Sequence, residues 1–280
     1  MTSMFKTFML MTLLTVGFVW IGGAMGGQTG AMIAFVIAAG MNFYSYWFSD
    51  KMVLKRYRAT EIGPEDDPRL YNIVEQLAEN AHLPMPKIYI IPQQTPNAFA
   101  TGRNPEHAAV AATEGILQLL DDDELSGVIG HELTHVKNRD ILTGTIAATF
   151  AGAITMLSQI SRFGAFGRRN QNPIGMILML IGAPLAAMII RMAISRVREF
   201  AADRGGAEIS GRPLALASAL NKLHHGVARQ PLQRGNAAHS HLFIVNPFRG
   251  GLQSLFATHP PVEERIQRLE EMAQFSPQIG

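Results

Sequence analysis

Between Thr7 and Ser49 the chain carries no charged side chain. Such a stretch cannot coat a soluble domain, and it is about twice the roughly 20 residues that one helix needs to cross a bilayer. Its glycines cluster in GGAMGGQTG, residues 22–30, which predicts a tight turn between two membrane spans near 7–24 and 29–48. Trp20, Tyr44, Tyr46 and Trp47 fall near the predicted span ends, where amphipathic rings favour the headgroup region. A secretory signal peptide is the rival reading of the first segment, but a second long apolar segment follows at once. Only 16% of residues are charged against 48% hydrophobic, whereas soluble globular proteins carry about 25% charged residues. The net charge of +2 without a long basic run argues against a nucleic-acid partner, and the lack of cysteine excludes disulfides, thiolate metal ligands and a cysteine nucleophile.

Two further uncharged segments, 141–161 and 170–190, flank RFGAFGRR with Arg162, Arg168 and Arg169. Their length predicts a second membrane hairpin, with a pair of buried helices in a soluble core as the alternative. Lys6 precedes the first span, and Lys51, Lys55, Arg56 and Arg58 follow the second. The positive-inside rule therefore places both ends of the first hairpin in the cytosol. The three arginines between the later segments cut against a simple exported turn.

The polar regions have ordinary domain character. Apolar spacing predicts a helix over 67–82, a strand over 87–92, and a small β-hairpin made by PNAFATG and AAVAAT around the turn GRNPEHA. Asp121 to Asp123 are good capping and first-turn residues for a helix through GVIGHELTHVKNRD. Further on, a helix over 192–204, a glycine-containing break and a second helix over 213–225 are expected. Residues 226–257 read as a long irregular loop, and the chain closes with a helix after Pro260-Pro261. The division is then a hairpin at 1–50, a first peptidase part at 51–140, a second hairpin at 141–190 and a second peptidase part at 191–280.

The chemistry concentrates in HELTH. His131 and His135 lie one helical turn apart on one face, so both can reach a single ion. Glu132 then emerges beside the metal, where it can take a proton from water. A catalytic zinc needs a third protein ligand and one open position. The remaining histidines and downstream carboxylates are candidates, and Glu199 stands out because REFAAD places Asp203 four residues later on the same helical face. Asp203 could fix the tautomer of a ligating histidine. The bland alternative is a solvated acidic pair among Arg196, Arg198 and Arg204. Topology favours the first reading: two intervening crossings return the chain to the side of His131, which the charge pattern makes the cytosol. His82, His107, His224 and His225 read as surface or packing histidines, and the loop pair His239 and His241 has weak ligand spacing.

HELTH, the charge-free N-terminal pair of spans, SRVREFAAD and THPPVEERI occur in that order along essentially the whole chain. Together they resemble the bacterial HtpX-type heat-shock membrane peptidases, in the same broad family as the CaaX prenyl-protein proteases. The resemblance implies a mainly α fold: integral membrane helices plus a gluzincin-type zinc peptidase domain with a small β-sheet. It implies one Zn²⁺ per chain held by His131, His135 and Glu199, with Glu132 as general base and Asp203 supporting the ligands. Its HPxxxxR motif falls on His259 and Arg265. It further implies a multi-pass protein of the bacterial cytoplasmic (inner) membrane with its site facing the cytosol, acting on misfolded or damaged membrane proteins.

Of the remaining residues, His259 is the best donor to the oxygen that gains charge during amide hydrolysis, with a plain role capping the last helix as the alternative. Arg265 is expected to orient Glu199 or Asp203. Asn97, Ala98, Phe99 and Ala100 are the expected edge strand with which an extended peptide pairs, although a simple hairpin strand explains their small size equally well. Two other readings compete: a prenyl-protein type membrane protease, for which four candidate membrane segments are few, and an inactive adaptor with a metal-stabilised fold, which would not need Glu132.

Overall fold

The computed structural model describes residues 3–144, 146, 196–229, 243–245 and 260–275. Most of the second expected hairpin, most of the 226–257 loop and His259 lie outside the described residues.

The charge-free run forms α1 (Ser3–Arg56), which departs from helical geometry at Gly26 and Gly27. Gly27 has φ +60°, a conformation that glycine adopts without a Cβ penalty. The two halves fold against one another around this point. A Cβ on Gly22 would lie 2.5 Å from the Gly30 carbonyl oxygen, so only glycine permits the approach. Deeper in the hairpin, Asn42 Nδ2 donates to Thr15 Oγ1 at 2.8 Å, satisfying two polar groups within an apolar surround. Phe8, Leu13, Val16, Trp20, Met32, Val36 and Phe43 project outward, an apolar surface suited to lipid rather than water. Gly26–Phe48 is long and apolar enough to cross a bilayer, and Thr7–Gly23 is a shorter apolar helix.

Four strands follow: β1 (Thr60–Ile62), β2 (Lys87–Ile91), β3 (Ala98–Gly102) and β4 (Ala108–Thr113), in the order β1-β2-β4-β3. β3 and β4 form the expected antiparallel hairpin, and β2 joins β4 in parallel. The sheet is therefore mixed, with β3 at one end. α2 (Pro68–Ala81) starts where Asp67 accepts the Leu70 amide hydrogen and Pro68 occupies the first turn. α3 (Glu114–Leu119) and α4 (Asp122–Lys137) come next, the latter opened by a capping box between Asp121 and Glu124. The remaining helices are α5 (Arg196–Ser210), α6 (Pro213–Arg229) and α7 (Val262–Phe275).

One face of the sheet contributes Ile88, Ala98, Ala100 and Val110 to the main core, against Val74 of α2, Val128 and Ile129 of α4, and Leu216 and Leu220 of α6. The opposite face buries Ile91, Phe99, Ala109 and Ala111 against Val53 and Leu54, at the end of α1. Tyr57 stacks obliquely on Phe99, and the Arg103 guanidinium lies 4.5 Å from the Trp47 ring centroid. The β-hairpin thus sits directly on the base of the N-terminal helical hairpin.

The expected glycine-containing break between residues 204 and 213 is present but shorter, because the helix continues through Gly205 and Gly206. α5 runs on to Ser210, and the chain turns at Gly211, with φ +68°. Glycine lowers intrinsic helix stability, but these two glycines make a close helix–helix contact whose packing outweighs that loss. β1 and α3 were not expected from the sequence pattern.

Candidate metal centre

α4 buries Leu125, Val128, Ile129, Leu133 and Val136 together with His131, Glu132 and Thr134. This helix is enclosed on more than one side, which explains how ionisable side chains come to lie inside. α5 crosses it at glycines. A Cβ on Gly206 would stand 2.6 Å from the His131 amide nitrogen, and one on Gly205 would stand 2.5 Å from Thr134 Cγ2. Gly130 faces the Gly206 carbonyl in the same contact. The two backbones approach closely enough for Glu199 and Asp203 to reach the histidines of HELTH.

Glu199 Oε2 lies 3.9 Å from His131 Nε2, and Glu199 Oε1 lies 3.7 Å from His135 Nε2. One ligand atom from each of the three residues falls within 4.8 Å of the others. Donors about 2.1 Å from a tetrahedral zinc stand about 3.4 Å apart. The two imidazole–carboxylate distances are close to that value, and the two-nitrogen, one-carboxylate set suits zinc chemically. The residues present therefore fit a metal ion.

The other ring nitrogens face carboxylates. His131 Nδ1 is buried without a well-formed hydrogen bond, and Asp203 Oδ1 lies 3.0 Å from it. Asp203 is clamped by Arg265, whose Nε and Nη2 donate at 2.8 and 2.6 Å, while Nη1 donates to the Ile244 carbonyl at 2.8 Å. Of the two partners expected for Arg265, the guanidinium bonds to Asp203. Burial alone would raise the Asp203 carboxyl, but the Arg265 guanidinium and His131 outweigh it and hold this acid well below the usual range. Burial likewise disfavours the charged form of His135, yet Asp140, Glu199 and Glu132 push that imidazole up to about 9.

Glu132 is buried, and its Oε2 accepts the Ala100 amide hydrogen at 2.9 Å. That bond fixes which side of β3 faces the site. The Asn97 carbonyl accepts from Thr113 in the neighbouring chain segment, so the backbone groups of Ala98 and Ala100 point away from β4. Asn97 itself precedes β3, and its side chain accepts from the Ile244 amide at 3.3 Å. Phe99 turns to the opposite face, against Tyr57.

Asp140 and Arg198 were missed as site residues. Asp140 Oδ2 lies 3.5 Å from His135 Nδ1, and Arg198 Nη1 reaches Asp140 Oδ1 at 3.3 Å. Their signal was present in KNRD and RVREF but needs a chain reversal after α4 to be read.

This fold and this site define a metal-dependent peptidase. Residues 64–273 match the model of peptidase family M48. The chain is 57% identical over 277 residues to a protein named Protease HtpX homolog from Syntrophotalea carbinolica, covering 95% of this chain and 98% of that one. A Protease HtpX homolog from Salinibacter ruber is 56% identical over 272 residues, covering 96% and 98%. The crystal structure of S. mikatae Ste24p shares the fold with a TM-score of 0.53 at 18% identity, over 95% of this chain and 65% of that longer one. The chain belongs to peptidase family M48. It is a membrane metalloprotease, and its substrates are proteins.

Proposed function

We propose that the chain is a zinc endopeptidase of the bacterial cytoplasmic membrane that cuts misfolded or damaged membrane proteins on the cytosolic side. The observation that carries this reading is the position of β3. Its outer edge faces Glu132, while its far face packs on the end of the membrane hairpin. A polypeptide paired with that edge would lie between the base of the hairpin and the metal ligands. In this reading residues 1–50 anchor the protein, 51–140 and 191–280 form the cytosolic peptidase, and 141–190 make a second hairpin.

His131, His135 and Glu199 hold one zinc per chain. Bound there, zinc supplies Lewis acidity toward water and the scissile carbonyl. The chain's own groups do the rest. On the edge at Asn97 to Ala100, the backbone groups of Ala98 and the Ala100 carbonyl, which point away from β4, bind an extended peptide. Glu132, oriented by the Ala100 amide, takes the proton from the attacking water and returns it to the departing amine as the C–N bond breaks. Arg265 fixes Asp203, and Asp203 holds His131 from behind. His259, six residues before Arg265 in the sequence, donates to the carbonyl oxygen as negative charge develops.

The test uses purified protein in liposomes with a membrane-anchored substrate bearing an unfolded segment. Cleavage is expected when that segment lies on the side of Lys51 to Arg58, with one zinc per chain retained. Cleavage only on the opposite side would overturn the orientation, and activity without a bound metal would overturn the zinc assignment.

A further inference from the structure

The mechanism above supports His131 through Asp203 and Arg265 but leaves the second histidine without a counterpart. Asp140 occupies the corresponding place. Its side chain is 7% exposed and its Oδ2 lies 3.5 Å from His135 Nδ1, on the side of the ring away from Glu199, which approaches Nε2. Arg198, 13% exposed, contacts the other carboxylate oxygen at 3.3 Å. The arrangement repeats the first one: histidine, aspartate, arginine, with each arginine on a different helix from the histidine it serves.

The backbone is shaped to make this contact. α4 ends at Lys137, Asn138 caps it, and Arg139 takes φ +58°. A left-handed arginine costs roughly 1 kcal/mol, and glycine or asparagine is the usual residue there. The reversal folds Asp140 back over the last turn of α4, where helix resumes through 144. Three residues on, Thr143 Oγ1 shares a buried 2.6 Å hydrogen bond with Thr7 Oγ1 of the membrane hairpin. Asp140 is thus held from three directions: its own turn, α5 through Arg198, and α1 through Thr143.

We propose that Asp140, itself held by Arg198, is a positioning residue of the metal site, fixing His135 through Nδ1 so that Nε2 faces the ion. The inference rests on the zinc reading of His131, His135 and Glu199. A merely structural Asp140–Arg198 pair would affect unfolding but would leave the ligand field at the metal untouched.

The experiment uses full-length protein in detergent carrying E132Q, with zinc and cobalt(II) as the probes. Zinc affinity is measured by competition with a chromophoric chelator, and ligand geometry by the visible spectrum of the cobalt form. D140A is expected to lower zinc affinity roughly 10–100-fold, with an altered cobalt spectrum. D140N, nearly isosteric and the deciding variant should D140A not fold, is expected to show a smaller loss in the same direction. D140E should recover part of the affinity, and R198M added to D140A should change it little further, because Arg198 acts through Asp140. The inference is overturned if the parent binds both metals and D140N matches it in affinity and spectrum, whatever its unfolding temperature. A parent that binds neither metal would instead overturn the zinc reading beneath it.

Discussion

Arg265 is fully buried, and its guanidinium makes three hydrogen bonds, two to Asp203 and one to the Ile244 carbonyl. Replacing it with methionine keeps much of the apolar volume and removes all three. Asp203 would then be a buried carboxylate without its cation, which typically costs about 3–5 kcal/mol. For a domain of this size, each kcal/mol shifts the unfolding midpoint by about 2–4 °C, so R265M should unfold about 6–20 °C below the parent. Adding D203N removes the orphaned charge, and because replacing both members of a buried pair is often near neutral, R265M/D203N should regain much of the loss. The pH dependence has a definite sign. The folded-state acid of Asp203 is depressed, so its stabilisation is fully present above the unfolded value of about 3.9 and fades as pH falls toward the lower folded value. R265M should lose that part of the acid sensitivity. The assay is thermal unfolding in detergent at matched scan rates, in an E132Q background that removes the proposed general base. Equal midpoints for R265M and its parent, or a further drop on adding D203N, would refute the reasoning.

Three other outcomes follow from the geometry. G206A places a Cβ 2.6 Å from the His131 amide nitrogen, so it should destabilise the protein by about 1–3 kcal/mol and weaken zinc retention in dialysis. G211A meets no atom within 4 Å and should leave zinc retention unchanged, its cost confined to the positive φ, about 1 kcal/mol. In metal-free protein the His135 imidazolium, held up to about 9, must lose its proton before it can ligate. Apparent zinc affinity should therefore rise about tenfold per pH unit from about pH 7 toward 9 in calorimetric titrations, since one proton is released per ion bound.

Elements with strong local signals were legible. Asp67 and Pro68 open a helix where the apolar spacing begins, and Asp121 places HELTH on a capped helix. The cluster at residues 22–30 marks the hairpin turn because Gly27 takes a backbone angle that other residues resist. Signals that depend on distant contacts were not legible. Gly205 and Gly206 look like a break in isolation, and only the close approach of α4 explains why the helix continues through them. β1 is three residues long and gains its meaning from pairing with β2. Asp140 sits five residues past His135 and returns to it only through the left-handed Arg139. The sequence could narrow the partner of Arg265 to two acids, and the fold chose Asp203 because Glu199 is turned toward both imidazole Nε2 atoms.

In the proposed mechanism Glu132 performs the proton transfer at a zinc that His131, His135 and Glu199 would hold. The most direct test of that role is a paired measurement of zinc content and cleavage of a protein substrate for the parent and E132Q. Glutamine preserves the size of the side chain and can still accept the Ala100 hydrogen bond, but it cannot take a proton. E132Q should keep one zinc per chain and bind substrate while hydrolysis nearly ceases. An E132Q protein that retains zinc and cleaves at the parent's rate would mean that another group activates the water, contradicting the claim.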